Sequence, residues 1–195
     1  MANKYVFVDY NKFEDKKHIQ LVRDIKFKDF STGTSYELKP RRTITSESDD
    51  LILDVNYEGG RWLDLNSGSL IFHLDNGENI KLEPHFSHRE KWYSDTEKEM
   101  RYCEEVYYVI NEDDFLKICN AKTAELRFNG SHYYKDFICN KSVMNYFRIF
   151  YNGAYDSKSY IDALAEYENK RDTLMVAYIL LIIIGIFCLI LFCVS

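Results

Sequence analysis

Glu83-Pro-His85-Phe-Ser-His88-Arg-Glu90 is the one stretch of this chain with metal-ligand character: two imidazoles three residues apart, with a carboxylate on each side. Neutral imidazole binds zinc, and a carboxylate can complete the set. No second ligand pair follows at a spacing that would close a structural site, so exposed polar residues are the simpler reading. Neither a metal nor another cofactor is assigned. Two cysteines are candidates for nucleophilic chemistry. Cys119 lies on the apolar side of a helical pattern with Phe115 and Ile118, which favours packing. Cys139 precedes a second helical pattern, where a helix N-terminus could lower a thiol pKa. The sequence contains no GxGxxG, GxxxxGK[ST], GxSxG or HExxH motif. The acid pairs Asp49-Asp50 and Asp113-Asp114 stand where turns and caps need them. No residue is assigned as catalytic, and a hydrolase built on His85, His88, Cys119 or Cys139 is a minor reading.

Binding is the better expectation. Pro84–Met100, PHFSHREKWYSDTEKEM, reads as a long irregular segment that is both charged and aromatic. Loops of that length are uncommon unless functional or mobile. His85, His88, Arg89, Trp92 and Tyr93 are its candidate contact residues. Lys39-Pro-Arg-Arg42 adds a small basic patch suited to lipid head groups or an acidic partner.

A place for such binding is suggested by Leu174–Val194, LMVAYILLIIIGIFCLILFCV, 21 residues without a charge. As a helix it spans roughly 30 Å, the thickness of a bilayer's hydrocarbon core. Tyr178 sits near one end, as an interface anchor would, and Gly185 lies inside. Lys158, Lys170 and Arg171 precede the run, so the positive-inside rule puts the preceding domain in the cytoplasm. Only Ser195 follows, and the first residues lack the apolar region of a signal peptide, which together suggest a single-pass tail anchor. The sequons Asn129-Gly-Ser131 and Asn140-Lys-Ser142 would then escape glycosylation. Ala177, Gly185, Cys188 and Cys193 form no GxxxG seam, so homo-oligomerisation is not indicated. Ser159-Tyr-Ile-Asp162 resembles a capping box, which predicts a helical stalk over 156–173.

Residues 1–155 form the expected folded domain. Of 195 residues 46% are hydrophobic and only 2 are proline, a globular balance, and the 16 Tyr and 13 Phe suit pleated strands. The net charge of -6 is uneven: residues 1–42 carry +4 and residues 43–173 carry -10. An acidic body argues against generic nucleic-acid binding. Among the five cysteines no CxxC occurs, and the three outside the apolar run suit reduced thiols.

Period-two alternation dominates. It marks strands at Leu51–Tyr57, Leu70–Leu74, Ile80–Leu82, Cys103–Ile110, Ala124–Phe128 and His132–Ile138, with Lys4–Asp9 and Tyr36–Thr45 beside them. Gly59-Gly60, Asp75-Asn-Gly-Glu78 and Asn129-Gly130 are turn signals. Asn111 caps a short helix through Cys119, and a second begins near Asn140 and ends at Gly153. Lys16–Phe27 fits helix or strand. The fold class is mainly β, an antiparallel sheet or sandwich of α+β type with two or three short helices, followed by the membrane helix.

The stretch Glu105–Gly130, with Trp62 and the LIFHLDNGENIKL hairpin before it, resembles small β-rich domains of uncharacterised bacterial proteins. The likeness covers about Leu51–Phe150, including the strand that ends in Arg127-Phe-Asn-Gly130. It implies a fold and no activity, and those domains belong to exported or surface proteins, which a cytoplasmic anchor is not. The leading expectation is a non-enzymatic interaction or sensing module, with the bilayer as partner through 174–194 and a protein partner at the membrane. The alternative is a membrane-acting effector, a stress, toxin or phage-defence component whose apolar helices cluster on activation.

Overall fold

A computed structural model describes residues 6–11 and 14–155. The stalk 156–173 and the run 174–194, with Lys158, Lys170, Arg171, Leu174, Tyr178, Gly185 and Val194, lie outside the described residues. Among the described residues no helix is long and apolar enough to cross a membrane.

Among the described residues eleven strands and two α-helices follow one another as β1 (Val6–Asn11), β2 (Lys16–Leu21), β3 (Ile25–Asp29), β4 (Thr34–Ile44), β5 (Asp49–Gly59), a 3-10 turn (Leu65–Ser67), β6 (Ser69–Leu74), β7 (Asn79–Leu82), β8 (Pro84–Ser94), β9 (Glu99–Val109), α1 (Glu112–Asn120), β10 (Ala124–Asn129), β11 (Tyr134–Cys139) and α2 (Lys141–Tyr155). All pairings are antiparallel. One sheet has seven strands in the order β1-β2-β4-β5-β9-β8, with β3 also on β4, and the other has four, β11-β10-β6-β7.

The two sheets face each other. Phe27 and Tyr36 on β3 and β4 touch Phe128 and Phe137 on β10 and β11, with ring centroids 4.8–5.9 Å apart. Leu51, Leu53, Val55 and Tyr57 share the inner face, and Leu70, Phe72, Leu126 and Phe128 answer them. The helices close one end: Phe115 of α1 and Phe72 of β6 both meet Phe147 of α2 edge-on. Arg42 of β4 donates to the Ala154 carbonyl at 2.6 Å, so the far end of α2 rests against the seven-stranded sheet.

Local chemistry explains most boundaries. In 16–27 the buried positions are Ile19, Leu21, Ile25 and Phe27, a period of two, which selects strands over a helix. Gly77 turns the β6–β7 hairpin with φ +86°. Asn111 accepts from the Asp114 amide and caps α1. Asn140 accepts from Ser142 and Val143 and caps α2. Pro40 sits inside β4, where the lateral partner changes from β3, ending at the Leu38 pair, to β2, starting at the Arg41 pair. A residue without an N–H is tolerated where a ladder is interrupted.

Three expectations need correction. Pro84–Met100 is not an irregular loop: it is β8, a tight turn and the start of β9. Gly153 does not end the last helix but lies buried inside α2, because one helical glycine costs only about 1 kcal/mol and the helix's apolar face is buried. Asn129-Gly130 does open the β10–β11 hairpin, but the turn is longer than expected. β11 starts at Tyr134 rather than at His132, with the Gly130 amide donating to the Tyr133 carbonyl.

Candidate functional site

The five contact residues expected on a loop stand instead along β8, the last strand of the seven-stranded sheet. They do not converge on a pocket. His85 is the extra residue of a bulge between Pro84 and Phe86, and His88 lies opposite Glu105 on the outer sheet face. Trp92 pairs with Arg101 and Tyr93 with Met100, so adjacent aromatics point to opposite faces. Arg89 turns inward, where its guanidinium donates to the Asp64 carboxylate at 2.7 Å and lies 4.0 Å from the centre of the Trp62 ring. Phe86 stacks on Tyr107 at 5.2 Å. His85 and His88 are exposed and separated by the bulge, and among the described residues no group of three or more His, Cys, Asp or Glu could hold a metal ion.

What β8 does offer is an edge. Among the described residues it pairs with β9 alone, over 11 residues, leaving its other side open. Phe86, Trp92 and Tyr93 are 51%, 39% and 54% exposed along it.

The thiols lack the activation that nucleophilic work requires. Cys119 and Cys139 are buried and free, and burial pushes both pKa values up to about 12. Cys139 closes β11 in apolar surroundings instead of opening a helix, which corrects the expectation of a lowered pKa. Cys103, facing Asn56 at 3.1 Å, is raised to about 11 by burial and by surrounding glutamates.

The basic patch at Lys39–Arg42 is also dispersed. Lys39 pairs with Asp24 and Arg42 with Asp49, while Arg41 lies over the Tyr107 ring. Beside Arg41, burial pushes the Asp54 carboxyl up to about 6.

A second constellation was not anticipated. At the end of the sandwich away from the helices, Arg61, the β3–β4 turn and the β10–β11 turn flank an open-mouthed cavity of about 210 Å³. Tyr36, Tyr57, Tyr133 and Tyr134 line it, with Arg61, Lys135 and Asp29. The floor is held by Glu104, fully buried, whose carboxylate accepts from the amides of Leu63, Asp64 and Leu65 at 2.5–2.9 Å. One hint lay in the sequence: Glu104 has the parity of Val106 and Tyr108, so an acid occupies an inward position. The other residues come from turns far apart in the chain, and no local pattern joins them.

No protein-family model matches this chain, and neither a curated protein nor a solved structure matches it significantly.

Proposed function

We propose that this chain is a membrane-anchored, non-enzymatic interaction module that takes up a protein partner along the open edge of β8. The observation that carries the reading is that edge, 11 residues long and bordered by three exposed aromatics. An unpaired strand offers alternating N–H and C=O groups to an extended segment, and the side chains between them supply selectivity. The bulge at His85 and the charges of Arg89, Glu90 and Lys91 oppose indiscriminate edge pairing. A partner strand of complementary charge and apolar character fits it. The raised thiol pKa values and the separated histidines do not favour the minor hydrolase reading built on those residues.

The membrane half of the reading rests on the uncharged run 174–194, with Lys170 and Arg171 beside it favouring a cytoplasmic β domain. Two measurements on the full chain in cells test the two halves. A photo-crosslinking residue at Phe86 or Trp92 should capture a discrete protein that the same residue at exposed Ile138 does not; no adduct at either β8 position overturns partner uptake. The chain should stay in membranes through alkaline carbonate, and Ile183→Arg with Ile186→Arg should release it. Extraction of the unsubstituted chain overturns the anchor.

A further inference from the structure

The cavity between the sheets carries an inference of its own, independent of the membrane and of β8. We propose that this mouth binds a small phosphorylated ligand, its phosphoryl group held between Arg61 and Lys135.

The walls are fixed before any ligand arrives. The Tyr57 hydroxyl donates to the Arg61 carbonyl at 2.7 Å, in space that exists because residue 59 is glycine: a Cβ there would stand 2.3 Å from that hydroxyl. The Tyr133 hydroxyl donates to the Trp62 carbonyl, also at 2.7 Å. Glu104 holds the next three amides. The segment carrying Arg61 is therefore tied to both sheets, and such preorganisation removes much of the ordering cost of binding.

The charges in the mouth are under-used. The Arg61 guanidinium lies 4.0 Å from the centre of the Tyr133 ring and has no carboxylate or hydrogen-bond partner among the described residues. A guanidinium resting on a ring keeps its N–H edge for another partner, and such an edge recognises phosphate and carboxylate. Lys135 spends one donor on Asp29 at 2.6 Å and has two left. Asp29 is itself engaged by Ser31 and Lys135, which hold its carboxyl well below the usual range. Among the groups lining the mouth two cations face one acid, and the Glu104 carboxylate beneath is already covered by three amides.

The ligand class follows from this arrangement. Arg61 approaches from the crossover between the sheets and Lys135 from β11, while the hydroxyls of Thr32 in the β3–β4 turn and Thr34 at the start of β4 bond each other in the same wall. Two cationic donors from different elements suit a tetrahedral dianion, which can take a guanidinium edge and an ammonium together, better than a planar carboxylate, which one guanidinium edge satisfies. The volume is below the roughly 300 Å³ at which drug-sized pockets begin, so the group bound is small, with the four tyrosines offering ring faces to whatever carries the phosphoryl. The site lies at the pole opposite the helices. From Thr34 at the mouth to Arg42, which touches α2, β4 runs roughly 26 Å.

Calorimetric titration of the full chain in detergent, with phenyl phosphate, inorganic phosphate and benzoate as probes, tests the proposal. Phenyl phosphate should bind saturably, at least about tenfold tighter than benzoate. Arg61→Ala and Lys135→Ala should each weaken it about tenfold or more, the loss of one charge-assisted pair. Arg61→Lys, which keeps the charge and loses the plane, should fall between, and Lys141→Ala, an exposed charge elsewhere, should change nothing. Arg61 is exposed, so its variants should melt like the parent without ligand, and Arg61→Lys keeps the test valid if Arg61→Ala does not. The proposal is overturned by absence of phosphate binding, by unchanged affinity in Arg61→Ala and Lys135→Ala, or by equal loss in Lys141→Ala. Benzoate binding as tight as phenyl phosphate overturns the phosphoryl assignment.

Discussion

Glu104 on β9 and Leu65 in the crossover between the sheets are joined by a hydrogen bond of 2.8 Å from the Leu65 amide to the Glu104 carboxylate. The same carboxylate takes the amides of Leu63 and Asp64, so one fully buried side chain satisfies three consecutive backbone donors. Both carboxylate oxygens are met by amide dipoles, so the polar group is satisfied where it is buried. Those amides would otherwise be buried without partners in a segment too irregular to pair with itself.

Replacing that acid should therefore cost far more than a surface change. Glu104→Gln keeps the shape but puts an NH2 group where Oε2 accepts from the Leu65 amide, stranding that N–H against a second donor. The expected loss is about 2–4 kcal/mol, lowering Tm by roughly 5–15 °C. Exposed Glu125→Gln should stay within about 0.5 kcal/mol. Thermal unfolding of the full chain in detergent measures both, and similar melting of the two variants would refute the role given to Glu104.

The crossover is held from the other side by a backbone contact. A Cβ on Gly130 would stand 1.8 Å from the Leu63 carbonyl, and one on Gly68 would stand 1.7 Å from that of Asn129. Neither obstacle is a flexible side-chain tip, so the β10–β11 turn must move away from the crossover to admit a methyl. Gly130→Ala and Gly68→Ala should each destabilise by about 2 kcal/mol or more. Gly60→Ala, which meets nothing within 4 Å, should be neutral or gain up to about 1 kcal/mol through a less flexible unfolded chain. Urea titration separates them, and a tolerated Gly130→Ala would refute the backbone contact between the turn and the crossover.

These contacts mark where the sequence was legible and where it was not. Leu51–Tyr57, Leu70–Leu74 and Ala124–Phe128 show their strands because one face of each is packed and the other polar. β8 hides its strand because both faces are exposed, so charge and aromatic residues fall on each and no contrast develops. Gly130 looks like a turn glycine, yet its φ is not positive; what demands it is Leu63, 67 positions away in sequence. Lys135 and Asp29 are separated by 106 residues. Local periodicity reports which face is buried, whereas the clamp and the mouth depend on which turns meet.

Thiol chemistry gives a test of burial. Cys119 and Cys139 are buried, with pKa values pushed up to about 12, so at pH 8 almost none of either is thiolate. In a Cys188→Ser, Cys193→Ser background, iodoacetamide should modify both only through opening of the fold. Cys103, partly exposed on the outer face, should react first even though its pKa is raised to about 11. Peptide mapping after partial labelling reads the order directly. Early modification of Cys139 would show that the end of β11 opens locally, contrary to its packing.

The Asp54 carboxyl, on the outer face of β5, makes stability depend on pH. Burial, helped by Glu105 and Asp24 and opposed by Arg41 and Lys39, pushes it up to about 6 from an ordinary 3.8. The folded state thus holds this proton more tightly than the unfolded chain. The contribution to stability is fully present below pH about 4 and is lost as pH rises through about 6. Asp54→Asn should stabilise at pH 8 by on the order of 1–2 kcal/mol, allowing for solvent screening of a partly exposed group. The gain should shrink to a small fraction near pH 4, where the folded carboxyl is protonated and the unfolded one about half so. Arg41→Met should move the same midpoint upward, because it removes the cation that opposes the shift. Urea unfolding of wild type and Asp54→Asn at pH 4, 6 and 8 yields the difference directly, and an equal difference at all three pH values would rule out the carboxyl as its source.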